Sequence, residues 1–131
     1  MKIAVCIAGE PRFYKIGTQY MHSFFEGCEI DYFMHSWASK DLIEKNKLEL
    51  SEFFSPKDIL INEYLNFENF FDGKSFVNLC STPWTNLVSY LRSVYEVGKL
   101  LENKKENYDL VCFMRTDVVA LNGKLLDRIN M

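Results

Sequence analysis

Lys2–Ala8 (KIAVCIA) is a continuous, partly β-branched apolar run that starts at the second residue and stops at Gly9. A segment that is apolar at consecutive positions has no polar face to turn to water. It predicts a strand covered on both sides, which is the habit of parallel sheets. Parallel neighbours need a crossover, and the next residues supply one. Gly9-Glu10-Pro11-Arg12 reads as a loop, and Phe13, Ile16, Tyr20 and Phe24 then recur at helical spacing, with Gly17 on the same face. Gly27 is placed to end that helix as a left-handed cap residue. Strand, tight loop and helix open a βαβ unit.

The alternation continues. Residues 31–37 (DYFMHSW) predict a second strand, 40–54 a weakly amphipathic helix, and 58–61 (DILI) a third short strand. Residues 63–80 are aromatic and Asn-rich and predict loop or short helix. Ser81-Thr82-Pro83 then gives a hydroxyl cap and an early proline, a good helix start. Trp84, Leu87, Val88, Leu91, Val94, Tyr95, Gly98 and Leu101 fall on one face of that helix, which is expected to run to about residue 103. Leu110–Met114 (LVCFM) is another buried strand, ended by Arg115-Thr116-Asp117. Strands alternating with helices predict an α/β fold, a Rossmann-like three-layer sandwich with a mostly parallel sheet. The size of the chain predicts a single domain over residues 1–131.

Composition narrows the function classes. Hydrophobic residues make up 48% of the chain, including eleven Phe and seven Tyr, which is enough for one sizeable aromatic core and argues against disorder. The net charge is −3, with both signs spread along the chain, so no basic stripe exists to track a nucleic-acid backbone. Cys6, Cys28, Cys80 and Cys112 form no CxxC or zinc-like spacing and are expected to be reduced. No stretch reaches the roughly 18 apolar residues of a membrane span, and the first run is too short for a signal segment. A cytoplasmic location is the expectation.

In open α/β sheets, ligands bind beyond the carboxyl ends of the strands, near the switch in strand order. That rule selects three loops: residues 9–12, 35–37 and 115–117. The first is neither GxGxxG nor a P-loop, but Gly9 permits a tight turn and Arg12 offers a guanidinium to phosphate or a base edge. His35 and Trp37 alternate along a strand and therefore share one side of the sheet, with Ser36 on the other. Taken alone, His35 reads as a hydrogen-bonded, semi-buried histidine beside a core tryptophan. Asp117 follows a buried strand, where a carboxylate can hold a divalent cation on a diphosphate; the plainer alternative is a salt bridge or an Asp turn.

Together these pieces resemble a group of bacterial and viral glycosyltransferase-like proteins with a GT-A-type nucleotide-diphosphosugar transferase fold. The resemblance rests on Gly9-Glu10-Pro11-Arg12, on Asp31-Tyr32-Phe33-Met34-His35-Ser36-Trp37, on Ser89 and Ser93, and on Tyr108-Asp109 through Arg115-Thr116-Asp117. It implies a nucleotide pocket beyond the first strand, bounded by Gly9, Arg12, His35 and Trp37. It also implies that Arg115 and Asp117 stand where such enzymes carry an Asp-x-Asp element for ribose and a divalent cation, Mn²⁺ or Mg²⁺. Two positions depart from the group's pattern. Arg115 replaces the first Asp of that element, so Arg115 can neutralise diphosphate itself, and Glu10 stands in place of Gln. Members of the group continue into an acceptor-binding half, whereas 14 residues follow Asp117 here, so the resemblance covers the donor-binding half.

The expected function is therefore glycosyltransferase-like binding of a nucleotide-diphosphosugar donor, with the acceptor glycan or other hydroxyl compound unspecified. Arg12 and Arg115 would contact phosphates or base, Asp117 ribose or metal, and His35 and Trp37 would shape the pocket. The principal rival is a non-catalytic binding or assembly module that keeps the fold. A homo-oligomer, with the aromatic residues 64–76 as its contact, would suit that rival. A different α/β nucleotide-binding enzyme is a weaker third reading.

Overall fold

A computed structural model of the chain describes residues 1–67, 84–117 and 124–129. The elements are β1 (Lys2–Ala8), α1 (Tyr14–Phe24), β2 (Glu29–Ala38), α2 (Ile43–Phe54, entered through a 3-10 turn), β3 (Asp58–Glu63), α3 (Trp84–Lys104), β4 (Leu110–Met114) and α4 (Leu125–Ile129). The four strands form one sheet in the order β3-β2-β1-β4, and every pairing is parallel. The fold is thus α/β with helices on both faces, a Rossmann-like three-layer arrangement. Among the described residues, no helix is long and apolar enough to cross a membrane.

β1 explains its own composition. Ile3, Val5 and Ile7 face the layer of α1 and α2, where they pack with Met21, Phe25, Leu50 and Phe54. Ala4, Cys6 and Ala8 face α3, where they pack with Phe33 and Val97. The small residues on this second face let α3 lie close to the sheet. Both faces are covered, which is why the run is apolar without alternation. Cys6, Cys28 and Cys112 are free thiols, and Cys80 lies outside the described residues. Burial pushes the Cys6 thiol up to about 12.

Two helices pack on faces rotated from, but overlapping, those the periodicity suggests: Gly17 and Phe24 of the α1 stripe and Val94 and Leu101 of the α3 stripe do pack inward. In α1 the buried positions are Gly17, Thr18 and Met21, while Phe13 is 74% exposed and Ile16 and Tyr20 are also exposed. Gly17 is the cause. A Cβ built there would stand 1.7 Å from the Thr116 carbonyl oxygen, so the helix rests backbone to backbone on the loop after β4. In α3 the wholly buried positions are Ser93 and Val97, whereas Leu87, Leu91 and Tyr95 are exposed. There a polar residue turns the helix, because Ser93 finds hydrogen-bond partners on the sheet. Strand ends also run further than the apolar runs do: β2 begins at Glu29, and β3 reaches Glu63 and so carries Asn62 into the ladder.

Candidate functional site

β1, β2 and β3 are laid down in one direction across the sheet, and β4 returns to the other side of β1. The strand order therefore switches between β1 and β4, and a crevice opens beyond their carboxyl ends. An open cavity of about 560 Å³ lies there, lined by Gly9, Glu10 and Arg12 after β1, Trp37 at the end of β2, Tyr64 after β3, Asn86, Ser89 and Tyr90 on α3, and Arg115 after β4.

The floor of the cavity is a fixed hydrogen-bond chain. Gly9 takes φ +91°, in the left-handed region that favours glycine, and its N–H donates to Ser93 Oγ at 2.7 Å. His35 is 1% exposed; its Nδ1 lies 2.7 Å from Ser93 Oγ and its Nε2 2.8 Å from Asn62 Oδ1. With the Asn62 oxygen facing the ring, Nε2–H donates to it and Nδ1 accepts from the Ser93 hydroxyl. Burial holds the His35 pKa below its ordinary value, so the ring is neutral near pH 7. Trp37 packs edge-on against His35, with centroids 4.8 Å apart, and its indole N–H donates to the Ser89 carbonyl at 3.2 Å. His35 and Trp37 do share one side of the sheet, and the serines four residues apart on α3 are their partners.

The two arginine loops are joined beneath the cavity. Thr116 is buried, and its hydroxyl donates to the Arg12 carbonyl at 2.8 Å. The two arginine side chains are about half exposed or more, and each guanidinium is met by the carboxylate two residues away. Arg12 reaches Glu10 Oε2 through Nε at 3.2 Å and Nη2 at 3.1 Å. Arg115 forks onto Asp117, with Nε 3.0 Å from Oδ1 and Nη2 2.7 Å from Oδ2. Arg115 also lies over the Tyr90 ring, 5.8 Å from its centroid. Burial first, and then a hydrogen bond to Glu10, push the Tyr64 hydroxyl above its ordinary pKa.

Of the residues singled out in the sequence, Gly9, Arg12, Trp37 and Arg115 meet at the cavity. His35 lies beneath it and does not line it. Asp117 stands at its edge with both carboxylate oxygens engaged by Arg115. A cation at Asp117 would share the carboxylate with that guanidinium. Among the described residues there is no group of three or more His, Cys, Asp and Glu side chains suited to a metal. Tyr90 and Asn86 also line the cavity and were not singled out, and Tyr64 lines it although it was expected only within an oligomer contact. Tyr64 opens the segment whose pattern was illegible, and Tyr90 falls beside the apolar stripe of α3 rather than on it. The rest of the aromatic segment, from residue 68 onward, lies outside the described residues. The chain matches no family model, no curated protein and no solved structure.

Proposed function

We propose that the cavity binds a nucleotide-diphosphosugar, as the donor-binding half of a glycosyl-transfer site. One observation carries this reading. A concave site at the switch in strand order combines aromatic surface from Tyr64 and Tyr90, with the buried Trp37 in its wall, and two guanidiniums on separate loops. Its volume suits a small-molecule ligand. Aromatic faces suit a base, the guanidiniums of Arg12 and Arg115 suit the paired charges of a diphosphate, and the Gly9 loop gives the ligand close access to backbone. The chain's own residues bind and orient in this reading. No step is routed through a cation, because among the described residues no group of three or more His, Cys, Asp and Glu side chains gathers at Asp117. Calorimetry with UDP, GDP, CDP and dTDP, each with and without Mn²⁺, tests the proposal. Saturable binding of one of them, lost in Arg12→Ala and Arg115→Ala, is the expected result, and no binding of any of the four overturns it.

A second reading, a binding or assembly module without chemistry, draws on a different observation. Leu87, Leu91 and Tyr95 of α3 are exposed, as are Val111 and Phe113 on the α3 side of β4. A solution mass above that of one 15.4 kDa chain, reduced to one chain by Leu91→Lys or Phe113→Lys, would favour it.

A further inference from the structure

Resting on the donor-site reading above, we propose that the anion site of the cavity is masked by its own carboxylates. Glu10 and Asp117 occupy Arg12 and Arg115 until a diphosphate displaces them. Both guanidiniums present the Nε–Nη2 edge to the carboxylate two residues away. That is the edge a phosphate takes when it binds through two parallel N–H groups. Ligand and internal carboxylate therefore compete for the same donors.

Opening either pair costs little structure. Each ion pair joins residues two apart in one loop, and Glu10 in addition accepts a hydrogen bond from Tyr64, which a diphosphate-bound Arg12 leaves in place. The arginine side chains are 64% and 51% exposed, and pairs as solvated as these contribute little to stability. The mask has an electrostatic consequence. Two cations and two anions share the rim, so an arriving anion meets no net positive charge. A monovalent anion must displace a carboxylate for one contact only. A diphosphate displaces two and spans both loops, which Thr116 already holds together. The arrangement thus selects for a doubly anchored, multiply charged ligand over single phosphates.

The test is calorimetric titration with inorganic pyrophosphate in EDTA, using the wild-type chain, Glu10→Gln, Asp117→Asn, the double variant, and Arg12→Ala/Arg115→Ala. Each amide keeps the shape of its side chain and removes the competing charge. Each single amide variant is expected to bind pyrophosphate about threefold to tenfold more tightly, the double variant more tightly still, and the double-alanine variant not measurably. Unchanged or weaker binding in both Glu10→Gln and Asp117→Asn overturns the mask, since the carboxylates would then be bystanders or supports. The same titrations with the four nucleoside diphosphates separate this proposal from the one beneath it. Nucleotide binding with no gain in the amide variants removes the mask and leaves the donor site. A gain for pyrophosphate with no nucleotide bound by any variant keeps the mask and removes the donor site. Binding of neither removes both.

Discussion

The two ends of the sheet treat charge in opposite ways. At the amino ends of the strands, Lys2 Nζ lies 2.9 Å from Glu106 and 3.5 Å from Asp31, and Lys57 Nζ lies 3.0 Å from Glu106 and 3.5 Å from Asp31. The Tyr108 hydroxyl donates to Asp31 at 2.9 Å, and the Lys2 backbone N–H donates to the Asp109 carboxylate at 2.7 Å. These contacts join segments far apart in sequence and tie the starts of β1, β2, β3 and β4 into one network. At the carboxyl ends, the ion pairs join residues two apart, and Glu10 carries a longer tie, the hydrogen bond from Tyr64. The fold there is held by neutral groups instead: Ser93, His35, Asn62, Thr116 and the bare backbone of Gly17. A network that holds the fold cannot open for a ligand, whereas a local pair can. That difference is what the proposed mask requires of the carboxyl end.

Several substitutions would break or sharpen that contrast. The largest effect is expected from Gly17→Ala, which drives a methyl group into the Thr116 carbonyl and separates α1 from the loop after β4. A loss of about 3 kcal/mol in a urea unfolding curve is expected, and a loss under 1 kcal/mol would show that this contact is soft. Next is Ser93→Ala, which leaves the Gly9 N–H and His35 Nδ1 without their buried partner. It should cost about 2 kcal/mol.

The wild-type chain should also lose stability on acidification through this network. The His35 pKa is lowered in the folded state, so below the unfolded value of about 6.5 the unfolded chain binds the proton first. Stability is full above that pH. It falls as the pH drops toward the folded value, and His35→Gln should remove this component of the slope.

At the other end, Glu106→Gln should show a distinct acid signature. Hydrogen bonds from Lys2 and then Lys57 hold Glu106 down at about 2, against 4.5 for the ordinary group. The contribution of the network is therefore present above pH 4.5 and lost as the pH falls toward 2. A pH scan of the unfolding midpoint should lose that component in the variant. Glu10→Gln should shift stability least, within about 0.5 kcal/mol, because its ion-pair partner lies in the same exposed loop. A larger loss there would mean that the carboxyl-end pairs also hold the fold.

The strands were legible because apolar runs in covered strands leave little choice. The faces of the helices were not. Periodicity in α1 and α3 marks the apolar stripe, and Gly17, Phe24, Val94 and Leu101 of those stripes do pack. The rotation that exposes the other members follows the close backbone approach at Gly17 and the hydroxyl of Ser93, whose contacts a hydrophobic pattern does not show. The location of the site followed from the strand-end rule, which brought Gly9, Arg12, Trp37 and Arg115 to the cavity. The condition of the charges did not follow. A sequence shows Arg and Asp two apart, but only the loop conformation tells whether they turn toward each other. Asn62 and the place of Tyr64 at the cavity escaped notice because β3 runs beyond its apolar core into polar residues.

The bond from the Thr116 hydroxyl to the Arg12 carbonyl spans 104 positions of the chain. β1 pairs with β2 across one helix and its turns, but with β4 across most of the chain. Closing so long a loop costs more chain entropy than closing the short one. The expectation is that the pairing of β1 with β4, which finishes the cavity, forms late in folding. Weakening that join, as in Thr116→Val, should speed unfolding far more than it slows folding. The binding crevice would then be the last part of the molecule to assemble and the first to come apart.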